Sequence, residues 1–470
     1  MDIGLILSGG GSKGDFELGA VRYLYEVLKI QGNVKLIAGT SVGAINGGKL
    51  AEGEVSPNSG LRGLMRAWYT LDKNDDMWFY EQWVRNGPPE VVQMINRAAN
   101  VHRNSHRLPQ PPSLLPKDHE ELGGLRDLAN AITDFFFLIG AGITFGPTIA
   151  SGAEASSIAN LNPIRNKMYG LNGAEKIFDG DLVTQWARST GGHLALASVS
   201  LDSGDLRFVI ETGELVDRKG WPVFDKQTQQ AIKVDVREGI IASASIGVVF
   251  PPVKMGDEYY VDGGHRSVIP VDALFHGANK NVKKAFLISA SPLGVVPSKF
   301  EGNLHVGNIA LRAMMETFLA EIVRNETEPR GGWGDREIVT IAPSYEVHGM
   351  TLIDPGLIRI DADYGWMRAD DAVNKRDAQS RLFKLSNDIT AARTRIWFEE
   401  GRYLDLFGNV GLGDFSRLPE FRDLVASLVK ERQDMGGSLP PNADRWAQTG
   451  EAHSTGFGSV PMINLFPIIE

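Results

Sequence analysis

The sequence predicts an α/β fold built on a largely parallel sheet, and two stretches carry that prediction. "IGLIL" at 3–7 runs into turn glycines, after which Phe16, Ala20, Tyr23, Leu24, Val27 and Leu28 recur at helical spacing. "VKLIAGTSVGAINGGKLA" at 34–51 repeats the plan: a short apolar strand, a sharp turn and the start of a helix of small residues. Parallel strands need a crossover between them, so two such units in succession imply a sheet covered by helices. Further apolar runs at 192–201 ("GHLALASVSL"), 206–212 ("LRFVIET") and 284–292 ("KAFLISASP") supply more strands, and no internal repeat is evident.

The chain changes character twice. Residues 72–160 open with an aromatic cluster (Trp78, Phe79, Tyr80, Trp83), pass through Pro-rich "RLPQPPSLLP" and end in a long uncharged stretch, the pattern of a cap or lid inserted into the sheet domain. After Pro297 the pattern is mainly helical to about residue 435, with one strand expected at "REIVTIAP". Residues 436–470, rich in Gly, Pro, Ser and Asn, have the composition of a loosely held tail. The expected organisation is therefore a sheet domain over 1–295 with its insertion, a helical region over 296–435, and the tail.

Composition narrows the chemistry. A formal net charge of −10 disfavours a nucleic-acid partner, which calls for a basic face. With no cysteine there is no thiolate nucleophile, disulfide framework or cysteine-ligated metal, so covalent chemistry falls to Ser, Thr, Lys or a carboxylate. No zincin or EF-hand motif is present, and neither a metal nor any other cofactor is expected. The short apolar run after Met1 lacks the cationic start and the length of a signal peptide, so the expected compartment is cytoplasmic.

Gly9, Gly11 and Gly14 satisfy G-x-G-x-x-G between a strand and a helix, the formal dinucleotide fingerprint. That reading also needs an acidic residue at the end of the second strand, yet no Asp or Glu occurs between Glu26 and Glu52. A P-loop fails as well, because Lys13 is followed by Gly14 rather than Ser or Thr. The second strand ends instead in Gly39-Thr40-Ser41-Val42-Gly43. This is the nucleophile elbow G-x-S-x-G, in the strand-to-helix setting the elbow requires. Loops at the carboxyl ends of adjacent parallel strands converge on one crevice, so Gly9, Gly10 and Gly11 are expected beside Ser41, where bare amides serve as an oxyanion hole.

The base is less obvious. An α/β-hydrolase order of Ser, acid and His needs several strands before the elbow, and only one precedes this one. Among the nine histidines, only His265 sits in a glycine turn after an apolar strand, in "YYVDGGHRSVIPV". Asp262, at the end of that strand and followed by Gly263 and Gly264, has two readings, a turn- or helix-capping Asp or a carboxylate that takes a serine proton directly.

Together "GGGSKG" at 9–14, "GTSVG" at 39–43 and "DGG" at 262–264 resemble, in order, the motifs of the patatin-like phospholipase family. "GDFELGAVRYL", "NPIRNKM" at 162–168 and "ASASIGVVFPPV" at 242–253 support the likeness, which covers roughly 1–295 apart from the insertion. The resemblance implies a three-layer fold with a cap and a Ser-Asp dyad that works without histidine. Ser41 would be the nucleophile, Asp262 its base and Gly9 to Gly11 the oxyanion donors, with Lys13 at the family's basic position. The substrate implied is a phospholipid or lysophospholipid, cleaved at an acyl ester. His265 departs from the family pattern, which leaves open whether it assists. The competing class is a non-catalytic α/β binding or signalling module with an incidental serine.

"FFFLIGAGITFGPTIASGA" at 135–153 carries no charge. It reads as a buried lid or core segment, as a membrane span, or as a lid that dips into a lipid surface and gives the protein a peripheral membrane contact. Its glycines, Pro147 and the lack of cationic anchors weigh against the span.

Overall fold

The computed structural model describes residues 1–82, 157, 159–247, 249–295, 317–329, 331–350, 352–407 and 418–448. Most of the expected lid, the apolar segment 135–153 included, and the last residues of the expected tail lie outside the described residues. Strand β1 (Ile3–Leu7) turns into α1 (Gly14–Glu26), which returns to β2 (Val34–Thr40), and β2 turns sharply into α2 (Val42–Leu50). Then come α3 (Gly60–Tyr69), a small antiparallel ribbon of β3 (Phe79–Tyr80) and β4 (Ala159–Asn160), α4 (Asn162–Tyr169) and α5 (Gly180–Thr190). The chain continues through β5 (His193–Ser200), β6 (Leu206–Ile210), β7 (Leu215–Asp217), α6 (Val236–Ala244), β8 (Val253–Met255), β9 (Glu258–Asp262) and β10 (Lys284–Ile288). It closes with α7 (Phe318–Thr327), β11 (Glu337–Ile341), α8 (Pro355–Val373), α9 (Arg381–Phe407) and α10 (Leu418–Asp434).

The central sheet runs β11-β10-β1-β2-β5-β6-β7. Its first five strands are parallel, and β6 and β7 extend it antiparallel, so the predicted α/β class with a mostly parallel sheet holds. Both faces are covered, which is why these strands read as continuous apolar runs and not as alternating ones. Ile6, Leu36, Ala38 and Leu287 pack with Ile269, Leu274 and Val323 on one side. Leu5, Leu7, Ile37 and Phe286 face the helical core of α1, α2 and α8 on the other.

Residues beyond 295 belong to the same layers. β11 adds a parallel edge strand beside β10, and α8 lies against α1. Glycines permit that approach: a Cβ at Gly19 would stand 1.6 Å from the Ala362 carbonyl oxygen, and one at Gly365 would stand 2.0 Å from that of Phe16. The expectation of a loosely held tail from 436 fails over 436–448. Trp446 is 1% exposed with the Arg393 guanidinium 4.0 Å above its ring, and the Ser438 N–H donates to Asp370 Oδ2 at 2.9 Å. One large aromatic outweighs a loop-like composition. Among the described residues no helix is long and apolar enough to cross a membrane.

Candidate active site

The turn from β2 to α2 puts Ser41 at φ 55°, ψ −123°, a backbone region that costs a non-glycine residue strain and that packing must enforce. The enforcement is visible on both sides of it. A Cβ at Gly39 would lie 2.1 Å from the Gly43 carbonyl oxygen, and one at Gly43 would lie 2.5 Å from the carbonyl oxygens of Leu7 and Ser8. The G-x-S-x-G spacing thus reflects a bend too tight for any side chain at its two outer positions. The Ser41 N–H donates to Ser243 Oγ at 2.9 Å, and its hydroxyl makes no capping bond to α2.

Asp262 reaches Ser41 through strand pairing. β2 pairs with His193–Ala197 of β5, and β9 pairs antiparallel with Ser198–Ser200. The opposite edge of β5 carries β6, so β2 and β9 lie end to end along one edge. Thr40 faces Ala197 and Asp262 faces Ser198, which brings the last residue of β9 beside the first residue after β2. The Asp262 N–H donates to the Ser245 carbonyl at 2.8 Å, and its Oδ1 accepts from the Gly264 N–H at 2.7 Å. Oδ2 is buried without a well-formed hydrogen bond. Burial raises the carboxyl pKa to about 6, while the neighbouring Ser41 hydroxyl and the Gly264 amide draw it back down.

The glycine loop lies alongside: a Cβ at Gly9 would be 3.4 Å from that of Ser41. Its amides divide into two kinds. The Gly9 N–H donates to the Val268 carbonyl at 2.9 Å and the Ser12 N–H to that of Met350 at 2.8 Å. Between them, the amides of Gly10 and Gly11 have no hydrogen-bond acceptor among the described residues. Gly14 opens α1 against Val42. Lys13 is 7% exposed and turned away from solvent, donating to Glu346 Oε1 and Ser291 Oγ, each at 2.6 Å. Gly263 starts the short turn after β9, and His265 in that turn accepts from the Gly247 N–H at 3.3 Å. Among the described residues no hydrogen bond joins a histidine to Ser41 or Asp262.

Several supports carry no local sequence signal. Ser243 and Ser245, in and just after α6, hold the backbones of Ser41 and Asp262; they fall in "ASASIG", which resemblance alone picks out. The Ser267 carbonyl accepts from Thr40 Oγ1 at 3.0 Å, and Glu326 of α7 accepts from Ser267 Oγ at 2.7 Å and the Ile269 N–H at 2.8 Å. Asp15, His348 and Asp361 bring ligand-type atoms within 4.8 Å of one another. Both ring nitrogens of His348 are hydrogen-bonded, to Asp15 and to the Gly349 carbonyl, so a metal would have to displace an existing bond.

Fold and site together define an α/β protein with a serine elbow, an adjacent buried carboxyl and a glycine loop. The family model described as Patatin-like phospholipase matches residues 5–275, more than half of the chain. The chain belongs to the patatin-like phospholipase family, a family of lipid hydrolases. Among solved structures it is similar to VipD from Legionella pneumophila, at 13% identity and a TM-score of 0.34, over 95% of this chain and 82% of that one. It is also similar to the type III effector protein ExoU, at 13% identity and a TM-score of 0.23, over 95% of this chain and 71% of that one. Scores this low add nothing to the family assignment. No curated protein matches the chain.

Proposed function

We propose that this protein hydrolyses acyl esters of phospholipids or lysophospholipids, with Ser41 as nucleophile and Asp262 as its base. The observation that carries the reading is the pairing of a serine in a strained elbow with a buried carboxyl whose pKa is raised to about 6. Such a carboxyl is ionised at neutral pH, yet it is a better proton acceptor than a solvated aspartate.

Ser41 Oγ attacks the ester carbonyl carbon as its proton passes to Asp262. The oxyanion falls to the amides of Gly10 and Gly11. The expectation that Gly9 also donates is set aside, because its amide is engaged with Val268. Each donor in such a hole stabilises the transition state by roughly 2.7–4 kcal/mol. Collapse breaks the C–O bond, and Asp262 returns the proton to the leaving alcohol. Water then attacks the acyl-enzyme, losing its proton to Asp262, which restores it to Ser41 Oγ as the fatty acid departs. The strained elbow supports this role because it leaves the hydroxyl outside the capping bonds of α2.

Fatty-acid release from phospholipid or lysophospholipid vesicles tests the proposal. The wild-type chain should turn over, and a folded Ser41→Ala variant should retain less than about a thousandth of the rate. Equal release by the two proteins overturns it.

A further inference from the structure

The loop that carries the two unengaged amides is gripped by a segment lying outside the family-matched residues. The Ser12 N–H donates to the Met350 carbonyl at 2.8 Å, and Ser12 Oγ donates to that of Gly349 at 2.9 Å. Gly11 adopts φ +62°, and a Cβ there would stand 2.3 Å from the Met350 carbonyl oxygen, so the turn and the strand of chain beyond it are in direct backbone contact. One residue further, Lys13 pairs with Glu346 at 2.6 Å. At the first turn of α1, His348 Nε2 donates to Asp15 Oδ2 at 2.8 Å, with Asp361 Oδ2 of α8 at 3.6 Å. The side chains of Asp15 and His348 are fully buried.

From these contacts we infer that the strap Glu346–Met350 is a positioning element for the oxyanion loop, fixing the Gly10–Ser12 turn in the geometry that leaves the Gly10 and Gly11 amides free. The inference rests on the proposed hydrolysis for its catalytic consequence. Gly9 is tied to Val268 on one side and Ser12 to Met350 on the other, so the two free amides are bracketed by two fixed ones. The buried Asp15–His348 pair is the anchor. Burial opposes a charged imidazole, but Asp15, through its charge and its hydrogen bond, and then Asp361 outweigh it and lift the His348 pKa to about 9, while burial and the Asp15 charge push the Asp361 carboxyl well above its usual range. Removing one partner of such a pair leaves a buried charge without compensation, which is far more disruptive than removing both.

Three variants of the full chain test the strap: Glu346→Gln, His348→Gln, and the double Asp15→Asn/His348→Gln, which removes both partners of the Asp15–His348 pair. Hydrogen exchange at the Ser12 amide, which the Met350 carbonyl holds, is read first and needs no activity; it should quicken in His348→Gln while strands β1 and β2 stay protected. With a short water-soluble ester, kcat should fall at least about tenfold in the variants with KM within about twofold, as expected for a misplaced transition-state donor. Affinity for a trifluoromethyl ketone, whose hemiketal oxyanion needs the same donors, should fall in parallel with kcat/KM. Unchanged loop exchange in folded variants overturns the strap, as does an unchanged kcat/KM or a rise in KM alone. If His348→Gln does not fold, Glu346→Gln and the double variant carry the same readouts. Failure of the hydrolysis proposal is distinguishable, because the wild type would then neither turn over ester nor bind the ketone, while the exchange result would still stand or fall alone.

Discussion

At the scale of single residues the proposed chemistry turns on Asp262. Its pKa is raised to about 6 by burial, and only the ionised form accepts the Ser41 proton. The kcat/KM profile should therefore climb with pH through about 6 and level off above it, a shape that an initial-rate series between pH 4.5 and 8 resolves. The same shift has a stability consequence of opposite sign. A folded-state pKa above the ordinary value stabilises the fold below the unfolded pKa of 3.8, and that contribution is lost as pH rises through about 6. Asp262→Asn should thus lose activity and yet melt higher than wild type at pH 7–8, by about 1–3 kcal/mol in unfolding free energy. A lower melting point at that pH would mean that the ionised carboxyl is held by favourable contacts and not merely buried. His265→Ala should keep most activity, since the ring bonds to the Gly247 amide and not to the dyad; a loss as deep as that of Asp262→Asn would make histidine part of the mechanism. Ser41, Asp262 and the glycine loop were legible in the sequence because each follows an apolar strand. The engagement of Gly9 was not, since its acceptor, Val268, comes from a distant loop that no local pattern ties to the first turn.

At the scale of elements, the site exists because β9 continues the line of β2 along β5. Apolar runs identify both strands, but periodicity says nothing about which edge a strand joins, so their end-to-end arrangement was hidden. The same limit applies further on. The run from Asp370 to Glu400 falls in the stretch expected to be mainly helical, but its pattern does not mark the break at which α8 ends at Val373 and α9 begins at Arg381. Here the break is made by polar side chains: Asn374 bonds back to Asp370, and Asp377 Oδ1 accepts from the amides of Gln379 and Ser380. Helix α7 also reaches the site, through Glu326, which holds Ser267 and Ile269 in the loop that engages Thr40 and Gly9. Burial raises the Glu326 pKa to about 8. Its stabilising contribution is thus present below the ordinary value of 4.5 and is lost as pH rises through about 8. Thermal melts from pH 5 to 9 should show the wild type losing stability steadily, with Glu326→Gln giving a flatter profile. Parallel profiles would mean that the carboxyl is not what couples this loop to pH.

The whole molecule departs most from a reading by segments. The family-matched residues end at 275, yet β11 extends the sheet, α8 covers α1, and the strap meets the glycine loop. A chain cut after residue 295 would expose the faces of Phe16, Leu24 and Phe286 that now pack in one core with Leu357, Ile360 and Tyr364. Such a fragment should be insoluble or should lack a cooperative melt, whereas the full chain should show one main transition; a well-folded, active 1–295 fragment would show that the later elements are dispensable. The central claim, that Ser41 is a nucleophile activated by Asp262 without histidine, is tested most directly by fluorophosphonate labelling with peptide mapping of the adduct. The account predicts one adduct, on Ser41, absent in Ser41→Ala, at least about a hundredfold slower in Asp262→Asn and little changed in His265→Ala. An adduct on another residue, or labelling of Ser41 that is indifferent to Asp262, would contradict it.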